Sequence, residues 1–62
     1  MFSSQDQEKV IKSSQSANLL IQDLREMVKS TDPLLAEMAL EILQQTVQIE
    51  QRLKRLESIT CP

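Results

Sequence analysis

From Pro33 to Ile59 the chain reads PLLAEMALEILQQTVQIEQRLKRLESI, with no glycine and no internal proline. Within it Leu35, Ala39, Ile42, Thr46, Ile49, Leu53 and Leu56 recur at alternating spacings of four and three. That heptad pattern predicts an α-helix packed lengthwise on another helix, because residues spaced this way share one narrow sector. A second set, Ala36, Leu40, Leu43 and Val47, repeats with the same spacing about 100° further round. The combined apolar arc approaches about 200°, whereas a helix with a single neighbour needs little more than 100°. The pattern therefore predicts a helix with two partners.

Upstream, Val10, Ser13, Ala17, Leu20, Leu24 and Met27 repeat at three and four, with Ser14, Ile21 and Val28 alongside. This predicts a first helix over about 5–29 with a narrower arc of roughly 120°, suited to one main neighbour. Ser4 followed three residues later by Gln7 fits a capping box, leaving residues 1–4 as a frayed lead-in. The Ser13–Ser16 stretch holds three serines, which are mediocre helix formers, so the first half of this helix is expected to be the weaker.

Ser30-Thr31-Asp32-Pro33 is the break. Proline cannot continue the first helix, and Asp32 as N-cap with Pro33 at the first helical position starts the second, over about 33–58. Residues 60–62 are expected to be a tail. A link of about three residues between long helices makes an antiparallel hairpin. The expected fold is all-α, a two-helix hairpin dimerising into a four-helix bundle. Its internal core is expected to hold Val10, Ala17, Leu20, Leu24, Met27, Leu35, Ala39, Ile42, Ile49, Leu53 and Leu56. The surface turned toward a second copy or another partner helix is expected to hold Ala36, Leu40, Leu43 and Val47.

Size supports association. Sixty-two residues bury a modest fraction of their surface, and such domains usually need a disulfide, a metal or a partner chain. One cysteine gives no internal disulfide, and the absence of histidine removes ordinary zinc or iron sites. A homodimer remains, with no cofactor or metal expected. The absence of glycine and the single aromatic, Phe2, argue against strands and tight hairpin turns.

Charge adds a layout. Folding about residue 31 pairs positions whose numbers sum to about 63. The uncharged segments Ser13–Gln22 and Ile42–Ile49 then lie side by side as a belt, flanked by charged ends as in an interface core. At the open end Lys9, Lys12, Arg52, Lys54 and Arg55 meet Asp6, Glu8, Glu50 and Glu57, a balance of five basic to four acidic. At the turn end Arg25 and Lys29 meet Asp23, Glu26, Asp32, Glu37 and Glu41, two basic to five acidic. Two hairpins with turns at opposite ends would bring unlike ends together, although exposed pairs contribute only about 0–1 kcal/mol each.

Other chemistry is thin. An enzyme is not expected: there is no histidine, and Glu37 and Glu41 lack the Glu-x-x-His of di-iron bundles. Gln44, Gln45 and Gln48 suit a solvated rim. Cys61 has neither a second thiol nor a nearby base and is expected to be an ordinary terminal thiol. The net charge of −2 and the pI near 4.9 do not draw in phosphate backbones. The architecture resembles the small dimeric hairpins of the Rop type, which bind RNA through helix 1 surfaces, with no motif shared residue by residue. That resemblance implies an RNA-binding regulator as the alternative reading. Against it, Lys9 and Lys12 project roughly 160–200° from Arg25 and Lys29, so no basic stripe forms. The second helix begins with Glu37 and Glu41 and lacks aromatics, unlike a membrane-surface helix. No run of about 18 apolar residues occurs, and MFSSQDQEKV lacks the features of a secretory signal, so a cytoplasmic setting is expected. The expected function is a small non-enzymatic protein–protein interaction module, of the adaptor or small chaperone-like kind.

Overall fold

Two helices, α1 (Ser4–Val28) and α2 (Pro33–Thr60), fold back on one another in the computed structural model, which describes residues 2–60. The hairpin measures 47 × 14 × 12 Å between Cα extremes.

α1 begins one residue earlier than its sequence suggests. Ser3 is the N-cap: its Oγ accepts from the Asp6 amide at 3.1 Å, and the Asp6 carboxylate accepts from the Ser3 amide at 3.4 Å. Ser3/Asp6 and Ser4/Gln7 both have capping-box spacing. The carboxylate is the stronger acceptor and also complements the positive helix end. Gln7 is thereby free to act elsewhere.

α1 closes without glycine. The Lys29 and Ser30 amides donate back to Glu26 O and Met27 O at 3.1 and 3.0 Å, tightening the last turn. Ser30 Oγ then accepts from the Asp32 amide at 3.1 Å. Asp32 caps α2 as expected, its Oδ1 accepting from Leu34 N at 3.0 Å and Leu35 N at 3.4 Å, with Pro33 first in the helix. No described residue has a positive φ. α2 continues to Thr60, two residues past its expected end, so Arg52, Lys54 and Arg55 lie upstream of its last turn. The expected tail residues Cys61 and Pro62 lie outside the described residues.

The two helices run antiparallel. Gln7 Nε2 donates to Thr60 O at 2.7 Å, and Asn18 Nδ2 donates to Glu50 Oε2 at 3.2 Å. Both pairs sit a few positions beyond the level expected from folding about residue 31. Side chains lean toward the N-terminus of their own helix, and in an antiparallel pair the two leans add.

Burial defines the seam. On α1 it runs through Gln7, Val10, Ser14, Ala17, Ile21, Leu24 and Val28; on α2 through Ala36, Ala39, Leu43, Thr46, Glu50, Leu53, Glu57 and Thr60. Both sets step by three and four. Ala17, Ile21, Leu24, Ala39, Thr46 and Thr60 are buried, and the rest are half-buried.

This corrects the expected core at one flank of each helix. Val10, Ala17, Leu24, Ala39 and Leu53 lie in the seam, but Leu20, Met27, Leu35, Ile42, Ile49 and Leu56 are 38–51% exposed. Ala36 and Leu43, expected to face outward, line the seam instead, and Val47 beside it is half-buried. The line through Ala39, Thr46 and Leu53 has an apolar flank on either side, and one neighbour can cover only one of them. The flank turned inward begins with the small side chains of Ala36 and Ala39, which lie in the turn half of the seam with Leu24 and Val28. The bulkier Leu-Ile-Ile-Leu flank is left outside.

The seam also changes character along its length. Near the turn it is Ile21, Leu24, Val28, Ala36, Ala39 and Leu43; toward the open end it takes in Gln7, Ser14, Glu50, Glu57 and Thr60. Thr46 Oγ1 donates to Ile42 O at 2.8 Å, and Thr60 Oγ1 donates to Leu56 O at 2.9 Å, so both buried hydroxyls are satisfied within α2. Apolar burial, the main stabilising term, is concentrated at the turn half.

Candidate interaction face

Six of the large exposed apolar residues share one side of the molecule; Ile11 and Leu40, each one position after a seam residue, emerge on the other, and Leu19 and Leu34 are exposed outside both. On α1, Ser13, Leu20 and Met27 each precede a seam residue, Ser14, Ile21 or Val28, by one position. On α2, Leu35, Ile42, Ile49 and Leu56 likewise each precede Ala36, Leu43, Glu50 or Glu57. Antiparallel helices that face each other are related by a local two-fold axis perpendicular to the pair. That axis leaves each face of the hairpin on its own side, so equal offsets from the two seams emerge on the same face. Leu20 and Met27 therefore join Leu35, Ile42, Ile49 and Leu56 in one apolar surface. Met38 and Ile59, 54% and 66% exposed, follow along its α2 margin.

The opposite face is occupied by polar interactions. Lys54 Nζ lies 3.8 Å from Glu50 Oε1, Glu50 Oε2 accepts from Asn18, and Gln22 Nε2 donates to Asn18 Oδ1 at 2.9 Å. The Glu50 side chain is only 15% exposed, so this i,i+4 pair belongs partly to the seam. Leu40 stays exposed near this side while Ala36, Leu43 and Val47 turn inward, so the expected four-residue stripe is not a single outward surface.

The charged ends keep their expected composition. The ion pairs among the described residues are Glu8–Lys12, Glu26–Lys29 and Glu50–Lys54, each within one helix. Among the described residues no ion pair ties α1 to α2, and Lys9, Arg52, Arg55, Asp23, Glu37 and Glu41 form none.

Candidate chemistry is sparse elsewhere. A shallow depression on α1 is lined by Ser14, Gln15, Asn18 and Leu19, with no titratable group. Among the described residues no group of three or more His, Cys, Asp or Glu side chains is placed to hold a metal ion. No helix is long and apolar enough to cross a membrane. Cys61 lies outside the described residues.

Leu20, Met27, Leu35, Ile42, Ile49 and Leu56 are the outward residues that the sequence pattern assigned to the core. A signal that could have found them is the pair of small residues Ala36 and Ala39 at the start of the inward flank of α2. Comparisons with family models, with curated proteins and with solved structures give no match.

Proposed function

We propose that this protein is a non-enzymatic interaction module that self-associates through the Leu20, Met27, Leu35, Ile42, Ile49 and Leu56 face, two hairpins forming a four-helix bundle. The carrying observation is that six large apolar side chains lie exposed on one side of a hairpin whose other side carries the Asn18–Glu50–Lys54 interactions and fewer large apolar residues, Ile11 and Leu40.

Size supports the reading. A face 47 Å long and at least 12 Å wide has a footprint of about 560 Å² (47 × 12). Two such faces amount to roughly 1,100 Å², above the ~1,000 Å² that separates specific interfaces from incidental contacts. Fully burying a large apolar side chain stabilises by about 1.5–3 kcal/mol, and these six are already about half covered. Their remaining exposure corresponds to about 4–8 kcal/mol per chain before ordering costs. A domain of this length has a total stability of only about 3–9 kcal/mol. Association thus contributes on the scale of folding itself.

Thermal unfolding over a hundredfold range of protein concentration tests this. A self-associating fold gains stability by mass action, so its midpoint rises by several degrees across that range. A midpoint independent of concentration contradicts the proposal.

A further inference from the structure

We infer that the second copy lies with its turn at the opposite end, so that α2 packs on α2 and α1 on α1, each pair antiparallel. This rests on the self-association just proposed. Two symmetric arrangements bury the same faces. A two-fold along the bundle sets both turns at one end and lays α1 on the other copy's α2. A two-fold across the bundle sets the turns apart and lays like helix on like.

Three observations favour the second arrangement. First, the exposed flank of α2 reads Leu35, Ile42, Ile49, Leu56, which is the same in both directions at heptad spacing. An axis between Ile42 and Ile49 matches isoleucine with isoleucine and leucine with leucine in every α2 layer. Second, that axis meets α1 in the turn between Ala17 and Leu20. The bulky Leu20–Met27 half of one α1 then lies over the half of the other that carries Ser13, large side chains against small, as dense packing requires. With both turns at one end, Met27, Leu20 and Leu35 of both copies would crowd together while both Ser13 layers met at the other end. Third, the turn end carries two basic and five acidic residues and the open end five basic and four acidic. Turns apart bring −3 beside +1 twice, whereas turns together bring −3 beside −3. Among the described residues no ion pair links the two helices, and Lys9, Arg52, Asp23 and Glu41 form none.

Gln45 distinguishes the arrangements. It is exposed on the α2 rim of this face, at the level of the inferred axis. With α2 on α2, the two Gln45 positions approach each other. With α2 on α1, they lie on opposite rims, and Gln45 instead approaches Ser16, its counterpart on the α1 rim.

The experiment uses the full chain with Cys61→Ser, carrying Gln45→Cys alone or mixed with a Ser16→Cys chain, treated with a short bis-maleimide while mass is measured by sedimentation. Gln45→Cys alone is expected to convert most of the protein to a covalent dimer. Dimeric mass with cross-linking only in the Ser16→Cys and Gln45→Cys mixture overturns the inferred orientation and leaves self-association standing. Monomeric mass overturns both. Dimeric mass with neither cross-link overturns the orientation and the face together.

Discussion

The side-chain amide of Gln7 donates to the main-chain oxygen of Thr60 at 2.7 Å, fastening the first turn of α1 to the last turn of α2. Thr60 O lies in the last turn of α2, where the helix presents partial negative charge. Gln7→Ala removes the donor and should cost about 1 kcal/mol. Gln7→Glu should cost more, because a carboxylate would face a carbonyl oxygen at the negative end of a helix. Denaturant unfolding gives the ranking; equal stability of the two variants would show that the contact does not hold in solution.

Asp32 caps α2 through two main-chain amides, Leu34 and Leu35. Asp32→Ala should destabilise by about 1 kcal/mol, and Asp32→Asn should retain most of the cap. Loss of equal size in both would point to the charge of Asp32 and not to its acceptor oxygen.

Ser14 presents a different case. Its hydroxyl is buried in the seam and has no hydrogen-bond partner among the described residues. Ser14→Ala removes that unsatisfied group and substitutes a better helix former, so stability should hold or rise by up to about 1 kcal/mol. A clear loss would reveal a partner for the hydroxyl.

Ala39 is completely buried where the helices approach. Ala39→Leu should cost about 1–3 kcal/mol by overpacking, although leucine is a good helix former, second only to alanine. Leu40→Ala, one residue along and exposed, should cost far less. Circular dichroism melts of the pair would separate seam from surface, and an innocuous Ala39→Leu would place the seam elsewhere.

Much of this architecture is legible in the sequence, and the limit falls at an identifiable place. The two helices follow from three-and-four spacing, and the break follows from Asp32-Pro33, whose chemistry permits little else. The line through Ala39, Thr46 and Leu53 is also readable, since it belongs to every sensible seam. Which flank turns inward is not. On hydrophobicity alone Leu35, Ile42, Ile49 and Leu56 outrank Ala36, Leu43, Glu50 and Glu57, yet the second set lines the hairpin. Periodicity within one helix carries no information about which of its flanks a neighbour covers; that depends on the side chains both helices bring to each level of the seam. Likewise the pairing of Gln7 with Thr60 joins residues 53 positions apart, beyond any local signal.

The central claim is that the Leu20, Met27, Leu35, Ile42, Ile49 and Leu56 face covers itself with a second copy, and neighbouring residues on α2 test it most sharply. Ile42 is 44% exposed on that face, while Leu43 is half-buried in the hairpin. Leu43→Glu should therefore unfold the hairpin, whereas Ile42→Glu should act on association. The direct measurement is sedimentation equilibrium at micromolar concentration. The account predicts twice the 7.1 kDa chain mass for the natural protein and a shift toward the single-chain mass for Ile42→Glu. A stable, helical natural protein at 7.1 kDa, or an Ile42→Glu variant with undiminished mass, would contradict it.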